Sequence, residues 1–265
     1  MISIASAVKS VGYIEILFAY IFVLILLILL RQRGLKKEKV VLIASLRMTV
    51  QLVLVGFLLA YIFEHPHPLV TLIILIIMIS FAVYTLINKF KEKLSFSLKK
   101  VITYALFIGT TPVILYFLWV VIGITPFYNP QYFIPISGMI IGNSMTGISL
   151  GISTLVNRFE HNQEEIIEAL VLGASPKEAS HFIINEAYDQ ALMPTINSML
   201  GMGIIFLPGM MTGQILSGTN PNLAILYQIG IMMGILGGVS LTTYIGLIFG
   251  AKTYFNKEAQ MNNMV

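Results

Sequence analysis

Cysteine is absent from this 265-residue sequence, which excludes disulfides, Cys-ligated zinc and thiolate catalysis. Charge is scarce as well: Asp, Glu, Lys and Arg make up 11% of the chain, against about 25% in an ordinary soluble domain. Hydrophobic residues make up 57%, and the mean hydropathy is +0.88. Such a chain cannot clothe itself in a water-compatible surface, so lipid has to be its solvent. The net charge of +4 is not gathered on one face, which argues against nucleic acid. No G-x-x-x-x-G-K-[ST] run occurs, so the chain carries no P-loop. No Asp falls in an apolar run, Glu15 stands only at the outer end of the first, and all four histidines lie outside the runs. A stand-alone ion-coupled carrier therefore lacks its usual carboxylate, and an intramembrane enzyme lacks convergent His or Asp.

Apolar runs long enough to cross the ~30 Å hydrocarbon layer recur over 11–30, 40–63, 69–88, 101–122, 133–156, 194–216 and 223–250. Backbone groups in lipid must satisfy one another, so these runs are expected to be helices. The expectation is an all-α polytopic membrane protein of about seven spans, forming one domain over residues 1–265. Positive charge alternates between the connections. Arg31, Arg33, Lys36, Lys37 and Lys39 follow the first run, and Lys89, Lys91, Lys93, Lys99 and Lys100 follow the third. Lys252 and Lys257 follow the last, and Lys9 precedes the first. By the positive-inside rule the N-terminus is outside and the C-terminus in the cytoplasm of a cell membrane. The first run is too long for a signal-peptide core, and its charge follows it, so it reads as a retained helix.

One connection, 157–193, is long, polar and on the cytoplasmic side. Asn162 with Glu165 reads as a capping box opening a helix in which Ile166, Ile167, Leu170 and Val171 share an apolar face opposite Glu164, Glu165 and Glu168. Gly173 stops it, and Ser175, Pro176 and Glu178 open a second helix that runs to Pro194. A linker has no need of two capped amphipathic helices at a sharp turn, which points to a docking surface for another protein.

The run Glu168-Ala169-Leu170-Val171-Leu172-Gly173-Ala174-Ser175-Pro176, with a later Leu192-Met193-Pro194, resembles the cytoplasmic coupling loop of ABC permeases. Glu168 stands five residues before Gly173 where the usual glutamate stands six before, a place Ile167 occupies. Leu46–Leu52, Gly138–Thr146, Pro194–Met199 and Leu207–Ile215 look like the permease of the FetAB-type iron exporter family, whose plant relatives are linked to aluminium tolerance and nucleotide-sugar transport. The resemblance implies a homodimer of permeases with two separate ATPase subunits, which hold the ATP and Mg and drive a metal ion, iron above all, out of the cytoplasm. A different cargo such as a nucleotide sugar is the alternative, and a secondary transporter working alone is a further one. It also implies that Glu164, Glu165, Glu168, Ala169, Gly173, Ala174, Ser175 and Pro176 couple the chain to the ATPase.

Polar residues inside the runs are candidates for a translocation path. Arg47 and Gln51 share a helix face: Arg47 either snorkels to the headgroups or forms a buried pair that binds or gates. Asn143 and Ser144, and Asn197 and Ser198, either tie packed helices together or line the path. Pro208-Gly209 is expected to break the sixth run and expose carbonyls to cargo. Met210, Met211 and Gln214 follow, the methionines serving as flexible core filler or as ligands for a soft metal. Glu64, His65 and His67 in an outer loop form either an exposed acidic loop or a metal-release site. Closure of the partner ATPase would push on 163–178 and tilt the fifth and sixth runs.

Overall fold

A computed structural model describes residues 12–90, 94–256 and 258–262. Lys9, Lys91, Lys93 and Lys257, which carry part of the charge alternation, lie outside the described residues. Among those described, all regular structure is helical, with only isolated bridges at Met202–Phe206 and Phe255–Met261. The chain divides into two units: residues up to Pro66 with Leu216–Thr219, and His67–Ile215 with Asn220 onward.

In the first unit, α1 (Tyr13–Ala19) and α2 (Ile21–Gln32) share one apolar run interrupted at Tyr20. A turn through Gly34, whose φ of +66° suits a residue without Cβ, leads to α3 (Glu38–Glu64). The Tyr20 hydroxyl ties α3 to α2 by bonding Thr49 Oγ1 and the Ser45 carbonyl. α2 buries none of its residues. An apolar helix left open in this way has lipid or another protein chain as its surroundings.

The second unit is a packed bundle of α4 (Pro68–Lys89), α5 (Phe96–Tyr116), α6 (Pro130–His161), α9 (His181–Gly201) and α11 (Pro221–Lys252). Sequence chemistry fixes its starts. Pro68, Pro130 and Pro221 each take the first helical position, where the missing N–H costs nothing. The preceding side chains of His67, Asn129 and Asn220 accept the backbone N–H two residues on. α5 widens into a π-helical turn at Phe117–Ile122 and stops at Gly123. α11 packs on α5, α6 and α9. The core there includes Ile102 and Leu106 of α5, Ile140, Ile148 and Ile152 of α6, and Leu247 of α11 itself, all at 0% exposure. Small residues set the spacing: a Cβ on Gly109 would stand 2.6 Å from the Thr242 Cα, so those two backbones touch.

Among the described residues six helices are long and apolar enough to span a membrane: Ile14–Gln32, Glu38–Glu64, Pro68–Lys89, Phe96–Ile122, Pro130–His161 and Pro221–Lys252. The sixth expected run, 194–216, is not one helix. α9 begins at His181 and passes through Pro194 to Gly201; residues 202–208 are largely non-helical, and α10 (Gly209–Leu216) follows. The second capped helix of the polar connection therefore does not end at Pro194. Pro194 removes only the N–H that would reach the Gln190 carbonyl, and the packed flanking turns at Ala191 and Thr195 hold the helix together. The break itself falls where Gly201, Gly203 (φ +87°) and Pro208 cluster.

Candidate functional site: a capped helical hairpin and a polar seam

α6 runs directly into α7 (Gln163–Val171), and α8 (Pro176–Ala179) leads through Ser180 into α9. Single residues, Asn162 and Ser180, thus join the α7–α8 hairpin to two long helices. At its entrance the expected capping box is not formed. Asn162 also terminates α6, its N–H donating to the Arg158 carbonyl at 2.9 Å, and this holds its backbone away from the extended cap conformation. Its side-chain amide donates instead to Glu165 Oε2 at 3.0 Å.

The turn is built as its residues dictate. Gly173 sits at φ +95°; its N–H donates to the Leu170 carbonyl and that of Ala174 to the Ala169 carbonyl, both at 3.0 Å. This pair of bonds is a Schellman motif, which requires a left-handed residue at Gly173. Ser175 then forms the expected box with Glu178: the Glu178 N–H donates to Ser175 Oγ at 3.3 Å, and the Ser175 N–H donates to Glu178 Oε2 at 2.8 Å. The Ser175 hydroxyl donates to the same carboxylate at 2.6 Å. These bonds, the hydroxyl's first and the N–H's second, with the Lys177 charge beside them, hold the Glu178 carboxyl below its ordinary value of 4.5.

The two faces of α7 differ from the sequence expectation. Ile166 is fully buried and Ala169 and Leu170 pack against the core, but Ile167 and Val171 point away from it. Glu164, Ile167, Glu168 and Val171 form one exposed face at i, i+3, i+4 and i+7. Val171 and Leu172 at the tip are 81% and 88% exposed. Sequence reasoning missed Leu172 as a surface residue. Its signal was an apolar stretch too wide for one helix face. Below the hairpin, Arg158 pairs with Glu186 across α6 and α9, and Tyr254 stacks on Phe159 at 4.1 Å. Burial, with the nearby Glu160 charge, pushes the Tyr254 hydroxyl well above its usual range, so it stays neutral.

α6 and α9 meet along Gly147 and Gly151, which face Ala187 and Ala191. On the open side of this seam Asn143 is exposed, donating to the Met139 carbonyl at 2.8 Å, and so is Asn197. Ser198 donates to the Pro194 carbonyl at 2.9 Å. Ser144 is not with them: it is fully buried and turned to α11, where a Cβ on Gly238 would approach its Oγ to 3.0 Å. Adjacent helix positions are 100° apart, so Asn143 and Ser144 could not share a face. At the break, Pro208 caps α10 by accepting the Thr212 N–H at 2.9 Å, while Met211 is buried and Met210 packs on the core. Gln214 is half-buried in the same short helix. Both methionines thus pack within the bundle. Gln228, 6% exposed on α11, aims its amide at the Met202 sulfur at 4.0 Å. Sequence reasoning missed it, although a glutamine within an apolar helix is itself a signal. In the first unit Arg47 and Gln51 line one shallow groove of α3 with Ala44 and Met48.

Glu64, His65 and His67 are not assembled as a metal centre. His65 folds back to stack on Tyr61 at 4.8 Å, and His67 Nδ1 is committed to the Leu69 N–H. Among the described residues no group of three or more His, Cys, Asp or Glu is placed to hold a metal ion.

The profile of the Uncharacterised protein family UPF0014 matches residues 13–255. A UPF0014 membrane protein of Synechocystis is 36% identical over 233 residues, covering 88% of this chain and 90% of the relative. The Escherichia coli protein named probable iron export permease protein FetB is 32% identical over 243 residues, 92% of either chain. Protein ALUMINUM SENSITIVE 3 of Arabidopsis thaliana is 30% identical over 254 residues, 96% of this chain and 91% of the relative. No solved structure matches. The profile match over nearly the whole chain, and relatives aligned along most of their own length, place this protein in the UPF0014 membrane-protein family.

Proposed function

We propose that this chain is the membrane-spanning permease subunit of an ABC exporter whose ATPase is a separate polypeptide, and that it acts as a homodimer in the cell membrane. The carrying observation is the hairpin: a Schellman turn and a capping box present Val171 and Leu172 to solvent beside Glu164 and Glu168. Two aliphatics so exposed are an unfilled contact, and their acidic neighbours suit a groove with basic rims. On this reading the hairpin is cytoplasmic, as the charges flanking the spans indicate. A push on it would pass into α6 through the single residue Asn162 and into α9 through the single residue Ser180. Those two helices carry Asn143 and Asn197 at their open seam, and the break at 202–208 lies at the far end of α9. Polar groups at membrane depth need protein or water beside them, which a second copy of the chain supplies.

The proposed cargo is iron or a related metal ion, moved as substrate. The name of the Escherichia coli relative supports this, and amide and carbonyl oxygens at the seam and the break are donors of the hardness that such ions accept. One observation favours a second cargo, an anionic organic solute such as a nucleotide sugar: the Lys89 ammonium donates to Ser149 Oγ at 2.7 Å on the flank of α6. Inside-out vesicles holding the chain and its ATPase should accumulate Fe(II) only with ATP. Accumulation of a nucleotide sugar instead would exchange the cargo, and transport by the chain alone without ATP would replace the whole reading with a secondary transporter.

A further inference from the structure

The second unit carries a cavity of about 770 Å³ between the α8–α9 corner and the last turns of α11. Its chemistry is graded along the helices. At the mouth stand Lys177, Lys252 and His181, with the Asn185 side chain in contact with the imidazole at 3.3 Å. The neighbouring carboxylate, Glu178, is turned back onto Ser175 and does not line the cavity, and among the described residues neither does any other carboxylate. About one turn further along the helices the walls are Ile184, Leu247 and Ile248, and a turn beyond them stands the Tyr188–Tyr244 ring pair, its centroids 6.3 Å apart. From Lys252 back to Tyr244 is about 12 Å along the helix. Lys252 is also the last residue of an apolar 32-residue span, so the mouth lies at the level where that span leaves hydrocarbon.

The geometry points to a binding site for one anionic phospholipid, its phosphate between Lys177 and Lys252 and the start of an acyl chain along Ile184 and Leu247. Charge complementarity selects the headgroup: two ammonium groups without a lining carboxylate favour an anion over a zwitterion. The apolar inner half selects an amphiphile over a free anion, which would leave those walls uncovered. The lipid braces the corner from which the hairpin projects. The site rests on this cavity alone and holds whether or not the chain is a transporter subunit.

The test uses the full chain, purified and stripped of lipid in detergent, then titrated in native mass spectrometry with phosphatidylglycerol or with phosphatidylcholine of the same acyl chains. One saturable phosphatidylglycerol per chain is expected, with weaker phosphatidylcholine binding. Lys177→Gln or Lys252→Gln should each lower that affinity roughly fivefold, and both together on the order of 25-fold. Ile248→Trp, which fills the inner half, should abolish binding with both lysines intact. If the double variant fails to fold, this variant and the single ones decide. Equal affinity for the two lipids, or an adduct that survives the lysine changes, overturns the site. So does inorganic phosphate binding with the same lysine dependence, or protection of both lysines that needs a second protein chain and no phosphatidylglycerol.

Discussion

Replacing both Val171 and Leu172 by alanine should weaken the grip of an ATPase subunit while leaving the chain folded. Both side chains stand more than four-fifths exposed. Their truncation therefore opens no cavity, and surface changes of this kind shift stability by roughly 0.5 kcal/mol or less. In a docked complex the same atoms would be buried. Full burial of a Val or Leu side chain contributes ~1.5–3 kcal/mol, and alanine retains part of that. The pair should then cost about 2–4 kcal/mol of binding, a rise in Kd of roughly 30- to 900-fold. The assay is a binding isotherm between the detergent-solubilised chain and its ATPase, with a thermal melt of each variant alone. An unchanged melt with Kd within twofold of the parent would refute the assignment of this tip as the contact. A lowered melt would show instead that the tip packs within the chain.

Other expectations follow from single residues. Gly173→Ala forces a side chain into a left-handed backbone and should destabilise the hairpin by ~1 kcal/mol, read as faster hydrogen exchange in 163–178 with 102–114 unchanged. Gly147→Leu should disrupt the α6–α9–α11 seam, since even a Cβ would lie 2.7 Å from Val239 Cγ1; overpacking of this kind costs about 1–3 kcal/mol, seen as a lower melting temperature. Because the folded-state value of Glu178 is depressed, its contribution is present above the unfolded value of 4.5 and is lost as pH falls through the lower folded one. Hydrogen-exchange protection of Ser175 should thus drop on acidification below 4.5 in the parent and stay flat in Glu178→Gln.

Much of this fold is legible in the sequence because lipid leaves the backbone few choices. Pro68, Pro130 and Pro221, each behind a capping side chain, mark helix starts, and Ser175-Pro176 with Glu178 marks the corner of the hairpin. What local pattern does not carry is tertiary context. Pro194 reads as a stop, yet packing of Ala191 and Thr195 carries α9 through it. Asn162 reads as a cap, yet its backbone is already taken by α6. Ile167 and Val171 read as core, yet the core needs only the Ile166 side of α7. Of the candidate site, the hairpin was visible as a pattern of caps. Which of Asn143 and Ser144 is buried, and the approach of Gln228 to Met202, depend on how α6 and α11 are rotated in the bundle.

The central claim is that an ATPase on another chain drives this one. Its most direct test is reconstitution of the purified chain with its ATP-binding subunit in liposomes, oriented with the hairpin outside and loaded with a fluorescent chelator. Addition of ATP and Fe(II) should quench the chelator at a rate that falls to background without ATP, without the ATPase subunit, or in the Val171→Ala/Leu172→Ala variant. Quenching at an equal rate in all four preparations would contradict the account.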